Sequence, residues 1–187
     1  VNQAQSDYFK KAVPPAMTSQ AATGVPASVT IAQSILESST GNEAKIKAAG
    51  TAWGQSDLAL KANNFFGIKA THLNDPNTYI MEPTPEYENG VKIHIHAAFE
   101  RYPNVAACFV AHAKLLSTAG RYIPAMKERN DPAAFCSQLQ ACGYSTSPDY
   151  AVTLIKLINE YDLRQYDAQP ISPPTAQPPA APAKAKQ

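Results

Sequence analysis

Cysteine, histidine and tryptophan are all scarce in this chain, at three, four and one of 187 residues, and acidic and basic side chains nearly cancel to a formal net charge of +1. That balance lacks the clustered Lys and Arg that a nucleic-acid track lays over several phosphates, so no nucleic-acid partner is expected. No run of eighteen apolar residues occurs, and no helical membrane insertion is expected either. The cysteines do not fall at CxxC spacing and no HExxH pattern is present. His94 and His96 share one face of an alternating run, with His72 and His112 elsewhere, but a metal site needs three or four convergent ligands. Polar alternation on an exposed strand explains the pair, and neither metal nor cofactor is expected. Cys136 and Cys142 would point about 240° apart on one helix, so pairing there requires the helix to end first. Cys108 bridged to either of them, or three buried thiols, both remain open.

What the chain has in quantity is proline and alanine at its end. From Gln169 to Gln187 the only large aliphatic residue is Ile171, which reads as a disordered or polyproline-type linker. The expected organisation is one domain over 1–167 and a tail over 168–187. About 165 residues suffice to bury roughly two-thirds of the unfolded surface. The chain opens at Val1 rather than Met, a start that a processed export signal or a trimmed chain would both produce.

Periodicity predicts a mainly α domain with a small β element. Tyr8, Phe9, Val13 and Met17 stand at helical spacing, with Pro14-Pro15 an expected interruption. A second helix over about Ala27 to Ser38 is apolar on most sides, as a buried helix is. Glu43 to Ala49 suggests another helical stretch, and Ser56 reads as an N-cap before Asp57. The period then changes. Thr78 to Met81 and Val91 to Ala97, either side of Glu88-Asn89-Gly90, predict an antiparallel hairpin with Val91, Ile93 and Ile95 on one face. Helical patterning resumes with Asn104 as a cap and Gly120 as a stop. Asp131-Pro132 opens a helix to Cys142 that closes on Gly143, and Ser147-Pro148 predicts the start of the last helix.

Three constellations carry possible chemistry. Ala32 to Gly41 delivers Glu37 at the end of an apolar helix, a position suited to a general acid or to an ordinary meeting of helix and water. Asn63 to Ala70 places two amides and two aromatics around Gly67. Amides and ring faces suit sugar recognition, and a tight turn whose phenylalanines fill the core fits the same stretch. Glu82, Glu86 and Glu88 flank the hairpin turn, where one could complete a carboxylate pair with Glu37 or all could line a solvated loop. Cys108 and His112 stand at i, i+4, but Cys108 lies in a strongly apolar helix, which favours a buried, inert thiol.

Taken in order, Leu36-Glu37-Ser38 with Gly41, Asn64 to Lys69, Glu86 to Gly90, Phe99 to Tyr102 and Gly143 to Ala151 resemble the peptidoglycan N-acetylglucosaminidases of glycoside hydrolase family 73. That family includes flagellar rod-associated muramidase-like domains and autolysins. The resemblance spans about Tyr8 to Leu163 and implies a lysozyme-like helical domain with a β-hairpin lobe. It implies a hydrolase, secreted or periplasmic, that cuts β-1,4 bonds in glycan strands of the cell wall, without cofactor and as a monomer. Residue by residue it implies Glu37 as general acid, Glu86 as second carboxylate and Tyr144 beside the acid, with Tyr150 a second such tyrosine. Asn64, Phe65, Phe66 and Lys69 would line the glycan groove. The family's Glu-Ser-Gly-Trp-Gly is replaced by Glu37-Ser38-Ser39-Thr40-Gly41, and Trp53 is the candidate to supply the missing aromatic or to serve as core. A lytic transglycosylase, which needs only one carboxylate, and a non-catalytic wall-binding module are the alternatives. The hairpin, thinly packed, is expected to act as a mobile lid that holds Glu86 too far from Glu37 until it closes.

Overall fold

The computed structural model describes residues 1–39, 52–88 and 91–168, with the side chains of 85–88 and 91–94 outside that description. The expected helix over Glu43 to Ala49 and the hairpin turn at Asn89-Gly90 lie outside the described residues. Seven α-helices and one two-stranded antiparallel sheet are present among those described.

Helix α1 (Gln3–Thr23) opens on a capping box: Asn2 Oδ1 accepts from the Gln5 amide at 2.9 Å and Gln5 Oε1 accepts from the Asn2 amide at 2.8 Å. It runs unbroken through Pro14 and Pro15, which corrects the expected interruption. The two prolines remove the donors that the carbonyls of Lys10 and Lys11 would otherwise receive, and both lysines are exposed. Water can serve those carbonyls, while Tyr8, Ala12, Ala16 and Ser19 keep the opposite stripe buried. Packing overrides the local rule. Gly24, at φ 80°, closes the helix by donating to the Gln20 carbonyl at 2.7 Å.

Helix α2 (Ala27–Ser38) is where the core sits. Every residue from Ala27 to Ile35 is buried, the Ile31 and Ile35 side chains completely. Each such isoleucine is worth about 1.5–3 kcal/mol of burial. Pro26 offers no side-chain cap to this helix. The cap comes from the far end of the domain: Asp167 accepts from the Ser28 amide at 2.8 Å and from the Ser28 hydroxyl at 2.7 Å. Gln20 Oε1 binds the amides of both Ala27 and Ala168. Downstream, Gly54 sits at φ 66°, and a Cβ there would stand 2.8 Å from the Tyr8 ring, so only glycine fits.

Ser56 caps α3 (Asp57–Ala62) as expected, accepting from the Ala59 amide. Strands β1 (Tyr79–Glu88) and β2 (Val91–Glu100) pair in register from Tyr79↔Glu100 to Glu88↔Val91. Both are longer than the runs read from sequence. Pro83 and Pro85, two residues apart, share the parity in which a missing N–H faces the open edge. The outer flank of β2 is not free at its base. Glu100 N donates to Ile68 O and Ala70 N to Ala98 O, each at 2.9 Å, which ties the hairpin to the segment after Gly67. Further out, Ile95 is 41% exposed, so the helices do not cover the sheet at Ile95, and on the opposite face near the base Met81 is 52% exposed.

Asn104 caps α4 (Val105–Thr118). Gly120 does not stop that helix but begins a 3-10 turn (Gly120–Tyr122) leading into α5 (Ile123–Lys127). Asp131 caps α6 (Pro132–Ala141), and Gly143 follows at φ 73°. The last helix, α7 (Tyr150–Glu160), starts later than Ser147-Pro148 implied: Asp149 is the boundary residue and no side chain caps it. A further 3-10 turn (Leu163–Tyr166) brings the chain back to α2. Cys108 and Cys136 are buried thiols and Cys142 is half-buried, so no disulfide joins them. No described helix is long and apolar enough to cross a membrane.

Candidate active site

Glu37 stands in the last turn of α2, where the buried helix reaches a groove of about 850 Å³. The residue is open to solvent on its groove side, but protein crowds its carboxylate. Desolvation pushes the Glu37 carboxyl above its ordinary value, opposed by the Tyr150 hydroxyl, which donates to Oε1 at 3.0 Å. Tyr150, buried at the start of α7, receives a hydrogen bond from Gln33 Nε2 at 2.9 Å, one helical turn before Glu37. With that donor supplied, its own proton goes to the carboxylate. Burial of Glu37 outweighs its tyrosine donor, so the acid holds its proton better than a surface glutamate.

Opposite the acid, the segment Phe66 to Lys69 forms one wall. Gly67, at φ 62°, turns the chain from the core into the groove. Glu100 and Tyr102 continue this side. Arg121, Tyr122, Tyr144 and Ser145 form the other, with Ala111 and Leu115 of α4 beneath. Tyr144 and Tyr150 stack with centroids 5.5 Å apart. The loop bearing Tyr144 is tied down by Arg121, whose Nη2 donates to the carbonyls of Cys142 and Gly143, each at 2.8 Å. Those are C-terminal carbonyls of α6, the end that favours a cation.

Not every expected site residue faces this space. Glu37, Phe66, Lys69 and Tyr144 line it, and Tyr150 lies directly behind Glu37. Asn64 does not present its amide to a ligand. Nδ2 donates to the carbonyls of Ile68 and Glu100 and Oδ1 accepts from the Ile68 amide, so it fastens the turn to the hairpin base. Phe65 is fully buried against Tyr8 and Phe109. Trp53 is buried in edge contacts with Tyr8, Phe9 and Tyr161 and is absent from the groove lining, so it is core and not a substitute aromatic beside the acid. Glu86 pairs with Ile93 in β1 and shares register parity with Glu82, which meets Lys61 of α3 at 2.9 Å. The Glu86 side chain, and with it the expected separation from Glu37, lies outside the described residues.

Sequence reasoning assigned no role to Glu100, Tyr102, Arg121, Tyr122 or Gln33. The first two stood in the block Phe99 to Tyr102, and Gln33 was legible as the one amide on a buried helix. His112 was read against Cys108, yet its Nε2 lies 3.1 Å from the Tyr144 hydroxyl. Burial pushes the Cys108 thiol up to about 12, which removes it as a nucleophile. Among the described residues no group of three His, Cys, Asp or Glu side chains converges on a possible metal.

Residues 13–163 match the glucosaminidase family, described as mannosyl-glycoprotein endo-beta-N-acetylglucosaminidase. The chain is 35% identical over 145 residues to the exo-glucosaminidase LytG of Bacillus subtilis, which covers 75% of this chain and 45% of that protein. It is 27% identical over 172 residues to the peptidoglycan hydrolase FlgJ of Pseudomonas aeruginosa, covering 90% of this chain and 40% of the relative. The chain thus spans less than half the length of these relatives. In three dimensions it superposes on the catalytic domain of the autolysin Auto from Listeria monocytogenes with a TM-score of 0.74 at 27% identity, covering 89% of each chain. The glycoside hydrolase domain of Salmonella typhimurium FlgJ aligns with a TM-score of 0.59 at 26% identity, covering 84% of this chain and 97% of that one.

Proposed function

Because the chain belongs to the glucosaminidase family of glycoside hydrolases, we propose that it hydrolyses β-1,4 bonds between N-acetylglucosamine and N-acetylmuramic acid within bacterial peptidoglycan strands. The observation that supports this most is the acid at the end of α2: Glu37 opens onto the groove and is held towards its protonated form by burial. Glu37 protonates the glycosidic oxygen as the bond to the anomeric carbon lengthens. Glu86, carried on β1, activates water or balances the oxocarbenium charge once the hairpin closes over glycan. Tyr144 and Tyr150 line and back the acid, and Phe66 and Lys69 contact the strand. The enzyme acts on internal bonds, as a monomer, outside the cytoplasm at the wall, and requires no cofactor or metal.

Replacing Glu37 by Gln tests the assignment. A folded variant that releases reducing ends from purified sacculi at the wild-type rate overturns it. Mass spectrometry of the same digests separates the rivals. Reducing N-acetylglucosamine ends on fragments of many lengths fit internal hydrolysis. Monosaccharide release from chain ends fits an exo mode, anhydro-muramyl ends a lytic transglycosylase, and binding without cleavage a wall-holding module.

A further inference from the structure

Two buried side-chain atoms among the described residues have no hydrogen-bond partner, Gln33 Oε1 and His112 Nδ1. They are the far ends of the two side chains that hold the groove's tyrosines. Gln33 donates through Nε2 to Tyr150 and leaves its acceptor unused. His112 is wholly buried on α4, stacked on Phe66 with centroids 3.8 Å apart and planes 9° apart, and its Nε2 lies 3.1 Å from the Tyr144 hydroxyl. A neutral imidazole has one N–H. If that N–H were on Nδ1, a buried donor would be left unpaired, the costlier of the two deficits. Placing it on Nε2 leaves only an unused lone pair.

We propose that His112 is a positioning residue that donates from Nε2–H to the Tyr144 oxygen and thereby directs the Tyr144 hydroxyl proton into the groove, towards an acceptor on the bound glycan. The inference rests on the glycosidase reading above and adds a residue to it. Phe66 fixes the ring plane from one side, so the imidazole cannot rotate to offer its other nitrogen. Burial also holds the imidazole neutral, pushed down to about 3, so the polarity of the bond does not change over the working range of a wall enzyme. His112 and Gln33 thus do parallel work from α4 and α2. Each supplies a donor to a tyrosine oxygen; Tyr150 gives its proton to Glu37, and Tyr144, whose hydroxyl also neighbours that of Tyr150, turns its own to the glycan when one is bound.

Two measurements test this. Nitrogen NMR of the wild-type protein reports the tautomer directly: protonated Nε2 with bare Nδ1 is expected, and the reverse overturns the proposal without any appeal to activity. In kinetics, His112→Phe keeps the stack on Phe66 and removes the donor, and is expected to lower kcat at least tenfold on sacculi. In a Tyr144→Phe background the same change is expected to matter less than twofold, and His112→Gln, which retains a donor, to recover part of the loss. Equal losses in both backgrounds, or no loss in the first, overturn the proposal. An inactive wild-type protein would defeat the glycosidase reading instead, and the tautomer measurement would still decide the polarity of the bond.

Discussion

At Glu37 the competition between burial and hydrogen bonding is open to experiment. Desolvation raises its pKa and the Tyr150 hydroxyl lowers it, because a donor favours the charged carboxylate. Tyr150→Phe removes the lowering influence and leaves Gln33 Nε2 without its acceptor. The alkaline limb of the pH–rate profile should therefore move to higher pH while the maximal rate falls. A limb that moves to lower pH contradicts the assignment of that limb to Glu37. Glu37→Gln should cost at least about 10²-fold in rate. Its melting temperature should equal or exceed the wild type, since the variant relieves a crowded carboxylate of its charge. His112 makes a second, separate prediction. Its pKa in the fold is about 3 against 6.5 in its ordinary state, so the unfolded chain takes up a proton between those values and the folded chain does not. Stability is intact above about pH 6.5 and should fall by up to ~1.4 kcal/mol per pH unit below it, down to about pH 3. Denaturant titrations at several pH values should show this slope in wild type and lose it in His112→Phe.

Among the elements, the hairpin and α2 behave differently under substitution. β1 and β2 are anchored at their base through Ile68 and Ala70, while Ile95 remains exposed further out. Glu86→Gln should lower turnover strongly yet less than Glu37→Gln, as measured by reducing ends released at matched folding. Equal rates for Glu86→Gln and wild type would return that role to the substrate's own acetamide. For α2, Asp167→Ala removes both bonds to Ser28 and should cost about 1 kcal/mol, within the range for a lost helix cap. The elements were largely legible in sequence where burial and local signals agree: Ala27 to Ser38, the caps at Ser56, Asn104 and Asp131, and the alternation in β2. They were misread where the two conflict. Pro14-Pro15 and Ser147-Pro148 carry strong local signals, yet α1 runs through the first pair and α7 begins after the second. The groove lining was legible at Glu37 and Tyr144, through ordered motif blocks. Asn64 and Trp53 were not, because an amide that recognises sugar and one that fastens a turn have the same sequence appearance, as do a stacking indole and a core indole. His112 pointed to its i−4 neighbour, whereas its partner lies thirty-two residues on.

Across the whole molecule, the helix that carries the acid is completed by a residue 139 positions further along the chain. Contacts of such separation close late, after the loop entropy between them has been met. A ribosome or an export channel releases Asp167 near the end of this domain, so the helix bearing Glu37 lacks its cap for most of the chain's emergence. The order of synthesis therefore acts as a delay. A chain stopped short of Asp167 carries every groove residue and still lacks the tie that holds α2 at its origin, so an incomplete copy of the domain is a weak one. Chains ending at residue 165 and at residue 168 should differ by that tie, the longer melting cooperatively and the shorter at lower temperature.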